Sequence, residues 1–123
     1  MKNDILNRSD IIHLVDVFYD KIRTDVSLNP FFGEDSKIDW TKHLKVMYDF
    51  WDNVLFYEGN YEGNPMATHL TLHQSKILSR EHFVKWMKIF QDTVNQEFKG
   101  KNATKIKDRA KGIATVMQTK IFE

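Results

Sequence analysis

Five histidines, at positions 13, 43, 69, 73 and 82, are the side chains here best suited to hold a metal or move a proton near neutral pH. His69 and His73 stand four residues apart. On a helix they share a face, a spacing at which two imidazoles can take zinc or another first-row ion. The same spacing suits one histidine satisfied in the core and one in water. His43 precedes Met47 by one helical turn, with Phe50 beyond it on a largely apolar face. It is either a satisfied core side chain or an imidazole aimed into a ligand cavity. His13 falls off its apolar stripe and is expected in water, and His82 is expected at the surface. Tyr19, beside Phe18, and Trp86 add a phenol and an indole N–H, each needing a partner if buried. Taken singly, each reads as a core aromatic with a satisfied polar tip.

Other chemistry is thinly represented. There is no Cys, which excludes disulfides, thiolate zinc sites and a cysteine nucleophile. Neither H-E-x-x-H nor G-x-S-x-G occurs, and the five glycines are scattered through separate turns, so no loop cradles a phosphate. Eighteen Lys and Arg against seventeen Asp and Glu leave a net charge of +1. That balance gives no electrostatic reason to expect nucleic acid or a membrane as partner. Aromatics are in excess. Nine Phe, four Tyr and three Trp make 13% of the chain, enough for a dense core or for surrounding something flat.

The elements that must position these residues are helical throughout. Ser9 is a candidate N-cap for a first helix with Ile11, Val15, Phe18, Ile22 and Val26 on its stripe. It ends in the Ser27–Ser36 loop, where Pro30 and Gly33 break the period. A second helix is expected from near Asp39 to Tyr57, with Trp40, Leu44, Met47, Trp51 and Val54 on one stripe. Asn64-Pro65 then opens a short helix holding Met66, His69, Leu70 and His73. A third long helix starts at Ser79 and carries Phe83, Trp86, Phe90 and Val94, with Phe98 near its end. A last one follows Asn102, with Ala103, Ile106, Ala110, Ile113, Met117 and Ile121. With 123 residues, one domain spanning 1–123 is expected, folding to bury roughly 65% of its unfolded surface. No secretory h-region follows the N-terminus, and apolar runs fall far short of the ~18 residues of a membrane helix. A cytoplasmic protein is the expectation.

Over roughly residues 11 to 117 the chain resembles the truncated haemoglobins of group III, small bacterial globins. The likeness rests on Phe18-Tyr19-Asp20 with Leu28-Asn-Pro30-Phe-Phe32, on Trp40-Thr-Lys-His43 with Asp49-Phe50-Trp51, on Tyr61-Glu-Gly-Asn-Pro65 leading to His69, and on His82-Phe83-Val-Lys-Trp86 through Phe90. The resemblance implies an all-α, two-over-two helical sandwich around haem b (iron protoporphyrin IX). His69 would be the proximal iron ligand, its other ring nitrogen hydrogen-bonded to fix its orientation. His73 is left as an extra residue near the haem edge. Tyr19 and Trp86 would be distal hydrogen-bond donors, with His43 a gate or further donor. Met47 and Phe50 would wall the distal side, and Phe32 would pack on the porphyrin, which Met47 and Trp86 would also touch.

The implied function is reversible binding of dioxygen, carbon monoxide or nitric oxide at a five-coordinate iron. Dioxygen gathers negative charge when bound and carbon monoxide does not, so O–H and N–H donors favour dioxygen. Two donors at about 1 kcal/mol or more each would slow its release by roughly 10- to 1,000-fold. Slow release suits sequestration or redox chemistry on nitric oxide or peroxide better than bulk oxygen transport. Catalytic turnover would need a separate reductase, since no flavin or nicotinamide domain is visible. A monomer is expected. The alternative to all of this is a small helical zinc-binding or protein-interaction domain using His69 and His73.

Overall fold

Residues 2–28, 39–56 and 80–121 are described in the computed structural model. Helix α1 (Arg8–Thr24) begins after Asn7, whose extended backbone (φ −160°, ψ 179°) lets its side chain accept a hydrogen bond from the Asp10 N–H. The cap is therefore Asn7, and Ser9 lies inside the first turn. Asn7 is the residue whose side chain reaches an otherwise orphaned helical donor. Asp10 in the first turn and Lys21 and Arg23 in the last complement the helix dipole. At the other end the Asp25 N–H donates to the Ile22 carbonyl, while the Asp25 carboxylate accepts from Ser27 N, Ser27 Oγ and Leu28 N. This turn takes Val26 off the expected stripe to 90% exposure and drives Leu28 into the core instead.

Helices α2 (Trp40–Phe56), α3 (Arg80–Glu97) and α4 (Lys101–Ile121) complete the described architecture. On α2 only Trp51 of the expected stripe is buried, joined by Leu55, while Trp40, Leu44, Met47 and Val54 remain half-buried. On α3, Phe83, Phe90 and Val94 are buried and Trp86 is half-buried; Phe98 is buried just beyond the helix end. On α4, Ala103, Ile106, Ala110 and Met117 face inward at helical spacing. Gly112 is in this helix, on its open side, and not in a turn.

Helix α1 packs on α2 and α3, and α4 packs on α3 and α2, so two helix pairs lie one over the other. This is the all-α, two-over-two arrangement expected from the sequence. Ile11, Leu14, Val15, Phe18 and Ile22 supply α1's share of the core, each side chain worth roughly 1.5–3 kcal/mol of burial. No helix of the described residues is long and apolar enough to cross a membrane.

The first turn of α4 is capped from far away. Asn102, expected just before this helix, is already helical. Asp4 takes the capping role instead, with Oδ2 accepting from Asn102 N at 3.0 Å and Oδ1 from Ala103 N at 2.9 Å. The segment holding Asp4 lies across the α3–α4 turn. Asn3 O accepts from Lys99 N, Ile5 O accepts from the Asn102 side chain, and Ile5 is fully buried. Gly100 turns the chain there at φ +149°, where a side chain would collide with Asp4.

Candidate functional site

Tyr19 follows Phe18 on α1, so when Phe18 points into the core its neighbour is turned about 100° toward α2. There it is 3% exposed, and its phenol lies 3.3 Å from Nε2 of His43. Which of the two donates depends on the imidazole tautomer. Burial alone pushes the Tyr19 phenol above its ordinary value, so it keeps its proton. Trp40, three residues before His43, closes the group. The rings of Tyr19, His43 and Trp40 meet edge-to-face in all three pairings, with centroids 5.3–5.4 Å apart. The Arg23 guanidinium covers the Trp40 ring at 4.7 Å and pairs with Asp20.

Phe18 joins this group to α3. Its ring stands edge-on to Tyr19, Trp86 and Phe90, at 5.0, 5.4 and 5.0 Å. Phe90 is stacked with both Trp86 (5.7 Å, 6°) and Trp51 (5.6 Å, 23°). Tyr19 and His43 therefore touch, and Trp86 reaches Tyr19 by way of Phe18. Met47 and Phe50, one and two turns along α2 from His43, continue its line, half-buried against the core. Phe32, His69 and His73 lie outside the described residues, as do the Pro30 turn and the short helix after Pro65. His82 is half-buried and not at the open surface. His13 is exposed as expected, with Nε2 2.6 Å from Glu97 and its ring edge-on to Phe98.

The sequence reading missed a cluster of charge at the other end of the α1–α2 contact. Arg8 donates to Asp49 at 2.7 Å and to Asp52 at 2.9 Å, and Lys45 donates to Asp49 at 2.9 Å. Both aspartates are buried. The Lys45 hydrogen bond, helped by Arg8 and opposed by desolvation, holds the Asp49 carboxyl below its usual range. Between this cluster and the aromatic group, the Tyr48 hydroxyl donates to Asp16, and burial together with that bond raises the phenol to about 12. The available signal was two acids three apart among the apolar residues of α2, which calls for a cation nearby.

No protein-family model matches the sequence. A curated relative does. The chain is 31% identical over 126 aligned residues to the group 3 truncated hemoglobin of Campylobacter jejuni, covering 100% of this chain and 97% of the relative. The chain belongs to the group 3 truncated haemoglobins. A crystal structure of the group III truncated hemoglobin from Campylobacter jejuni superposes on this globin with a TM-score of 0.85 at 31% identity. That match covers 98% of this chain and 95% of the other. In this truncated haemoglobin the Tyr19–His43–Trp40 group is thus built from the globin helices themselves, not from an appended element.

Proposed function

We propose that this truncated haemoglobin binds haem b and, at its iron, dioxygen, carbon monoxide or nitric oxide. In this reading it serves ligand sequestration or redox detoxification of nitric oxide or peroxide, not bulk oxygen transport. The observation that carries the reading is the buried Tyr19 phenol held against His43 at the end of an otherwise apolar helix face. Family membership supports haem as the group bound.

The donor chemistry of the described residues fits such a group. From His43 one face of α2 continues through Met47, Phe50 and Val54, all half-buried, and Trp86 of α3 is half-buried too. A flat apolar ring system needs apolar cover of this kind, with polar groups confined to one corner. Haem, when bound, would supply an iron that can take a diatomic ligand while a protein nitrogen holds the metal. His69 is assigned as that nitrogen, Phe32 as a ring against the porphyrin, and Tyr19, His43 and Trp86 as the groups lining the ligand's side. With the proton on Nε2, His43 donates to the phenol oxygen, and the Tyr19 O–H then serves a second acceptor. Trp86 offers an N–H that cannot act as an acceptor, so it too favours a ligand that gathers negative charge. Met47 and Phe50 exclude water from that corner, which strengthens each hydrogen bond made there. The globin works in this reading as one domain over residues 1–123, a cytoplasmic monomer that calls on a separate reductase for turnover.

An absorption spectrum after reconstitution with haemin tests the proposal. We expect stoichiometric haem and a Soret band that moves on reduction and again on adding oxygen or carbon monoxide. His69→Ala is expected to lose stable haem, and His73→Ala to keep it. A folded protein that takes up no haem, or a His69→Ala variant with an unchanged iron–imidazole signal, refutes the assignment.

A further inference from the structure

Helices α1 and α2 run antiparallel, and their polar contacts form a ladder. Arg8 meets Asp49 and Asp52, Asp16 meets Tyr48, Tyr19 meets His43, and Arg23 covers Trp40. Residue numbers rise along α1 as they fall along α2, so all four rungs belong to one register. The rungs span Arg8 to Arg23, about 22 Å of helix at 1.5 Å per residue.

Apolar contacts tolerate small sliding because they have no direction, whereas a buried carboxylate does not tolerate loss of its cation. Moving α2 by one residue shifts it about 1.5 Å and turns it about 100°. Such a step would take Asp52 off Arg8, leave Asp49 with only Lys45 of its own helix, and take Tyr48 off Asp16, all together. Buried polar pairs are best attested in this role, choosing one register among several that apolar packing would allow. Tyr48 lies about one and a half turns along α2 from His43, and Arg8 about three turns along α1 from Tyr19.

We propose that Arg8, with Asp49 and Asp52, and the Asp16–Tyr48 pair are positioning residues. They fix the register of α2 on α1 that brings His43 Nε2 to the Tyr19 phenol, and so set how long a diatomic ligand is held. The functional half of this rests on the ligand-binding reading above; the register half does not.

The test uses the haem-loaded ferrous protein, in its carbon monoxide form for the two spectroscopic signals and its oxygen form for the release rate. Tyr48→Phe removes one hydroxyl and keeps the ring, so it should fold. Arg8→Gln removes the cation, and Arg8→Lys returns it. Three signals are read: the nuclear Overhauser effect between the Tyr19 and His43 rings, the carbon monoxide stretching band, and the oxygen dissociation rate by stopped flow. Tyr48→Phe and Arg8→Gln are expected to weaken the ring-to-ring signal, split or broaden the band, and speed oxygen release about five-fold. That is the effect of one hydrogen bond made only part of the time. Arg8→Lys should bring all three back toward the parent. Parental values of all three in Tyr48→Phe and Arg8→Gln, whatever happens to the melting temperature, overturn the proposal. Tyr19→Phe serves as the reference. If it moves neither band nor rate while Tyr48→Phe still weakens the ring-to-ring signal, the ligand-binding reading falls and the register assignment stands.

Discussion

Tyr19 is at once a core residue and the proposed donor, and the two roles make different demands on its ring and its hydroxyl. The ring meets Phe18, Trp40 and His43 edge-on, so most of its packing survives in phenylalanine. The hydroxyl contributes one hydrogen bond to His43, worth about 0.5–1.5 kcal/mol net. Tyr19→Phe should therefore lower folding stability by about 0.5–1.5 kcal/mol in urea titrations. On the ligand-binding reading it should also speed oxygen release by about five- to ten-fold, while carbon monoxide release changes little. A large loss of stability with unchanged oxygen release would make the phenol a purely structural group. The residue type and its place beside Phe18 were legible in the sequence. Its nearness to His43 was not, because no spacing within one helix says which face of another it will meet.

At the scale of elements, the α4 N-terminus depends on a side chain from the opposite end of the chain. Desolvation works to raise the Asp4 carboxyl, but backbone N–H groups of Asn102, Ala103, Ile5 and Lys101 together outweigh it and hold its pKa below normal. A carboxyl lowered on folding adds stability that is fully present above its unfolded value near 3.9 and fades as pH falls through the folded value. Asp4→Ala should cost about 1 kcal/mol at neutral pH, as a lost N-cap does. The gap between variant and parent should close in acid, which chemical denaturation at pH 7 and below pH 3 would show. A gap independent of pH would mean the carboxylate's charge is not what caps the helix. Helix existence and period were readable for α1, α2, α3 and α4. The first cap was expected two residues late, at Ser9, and α4 was expected only after Asn102, because each start is decided by which side chain reaches the orphaned N–H groups, Asn7 from next door and Asp4 from across the molecule.

For the whole molecule, the all-α sandwich followed from the periodicity and from the resemblance that Tyr19, His43, His69 and Trp86 carry in order along the chain. What stayed hidden was everything that joins helix to helix by direction. Trp86 and Phe90 share a stripe at i,i+4, but neither the stacking of Phe90 on Trp51 nor the ladder from Arg8 to Arg23 leaves a trace in local spacing. Asp49 and Asp52 among apolar neighbours call for a cation, but nothing in their spacing says that it is Arg8. Even the departures from the expected stripes, such as Val26 turned out and Leu28 turned in, come from one carboxylate, Asp25, gathering three donors in a turn.

The Asp4 cap also bears on the order in which the chain assembles. Asp4 and Asn102 are 98 positions apart, so their contact needs nearly the whole chain to be gathered first. Closing so long a loop is entropically opposed until other contacts have already brought its ends together. The strap over the α3–α4 turn should thus join after the rate-limiting step. In stopped-flow refolding and unfolding, Asp4→Ala should leave the folding limb of the chevron near the parent's and raise the unfolding rate by most of the equilibrium loss, a φ-value near zero. A slowed folding limb would instead put the two ends of the chain together in the nucleus.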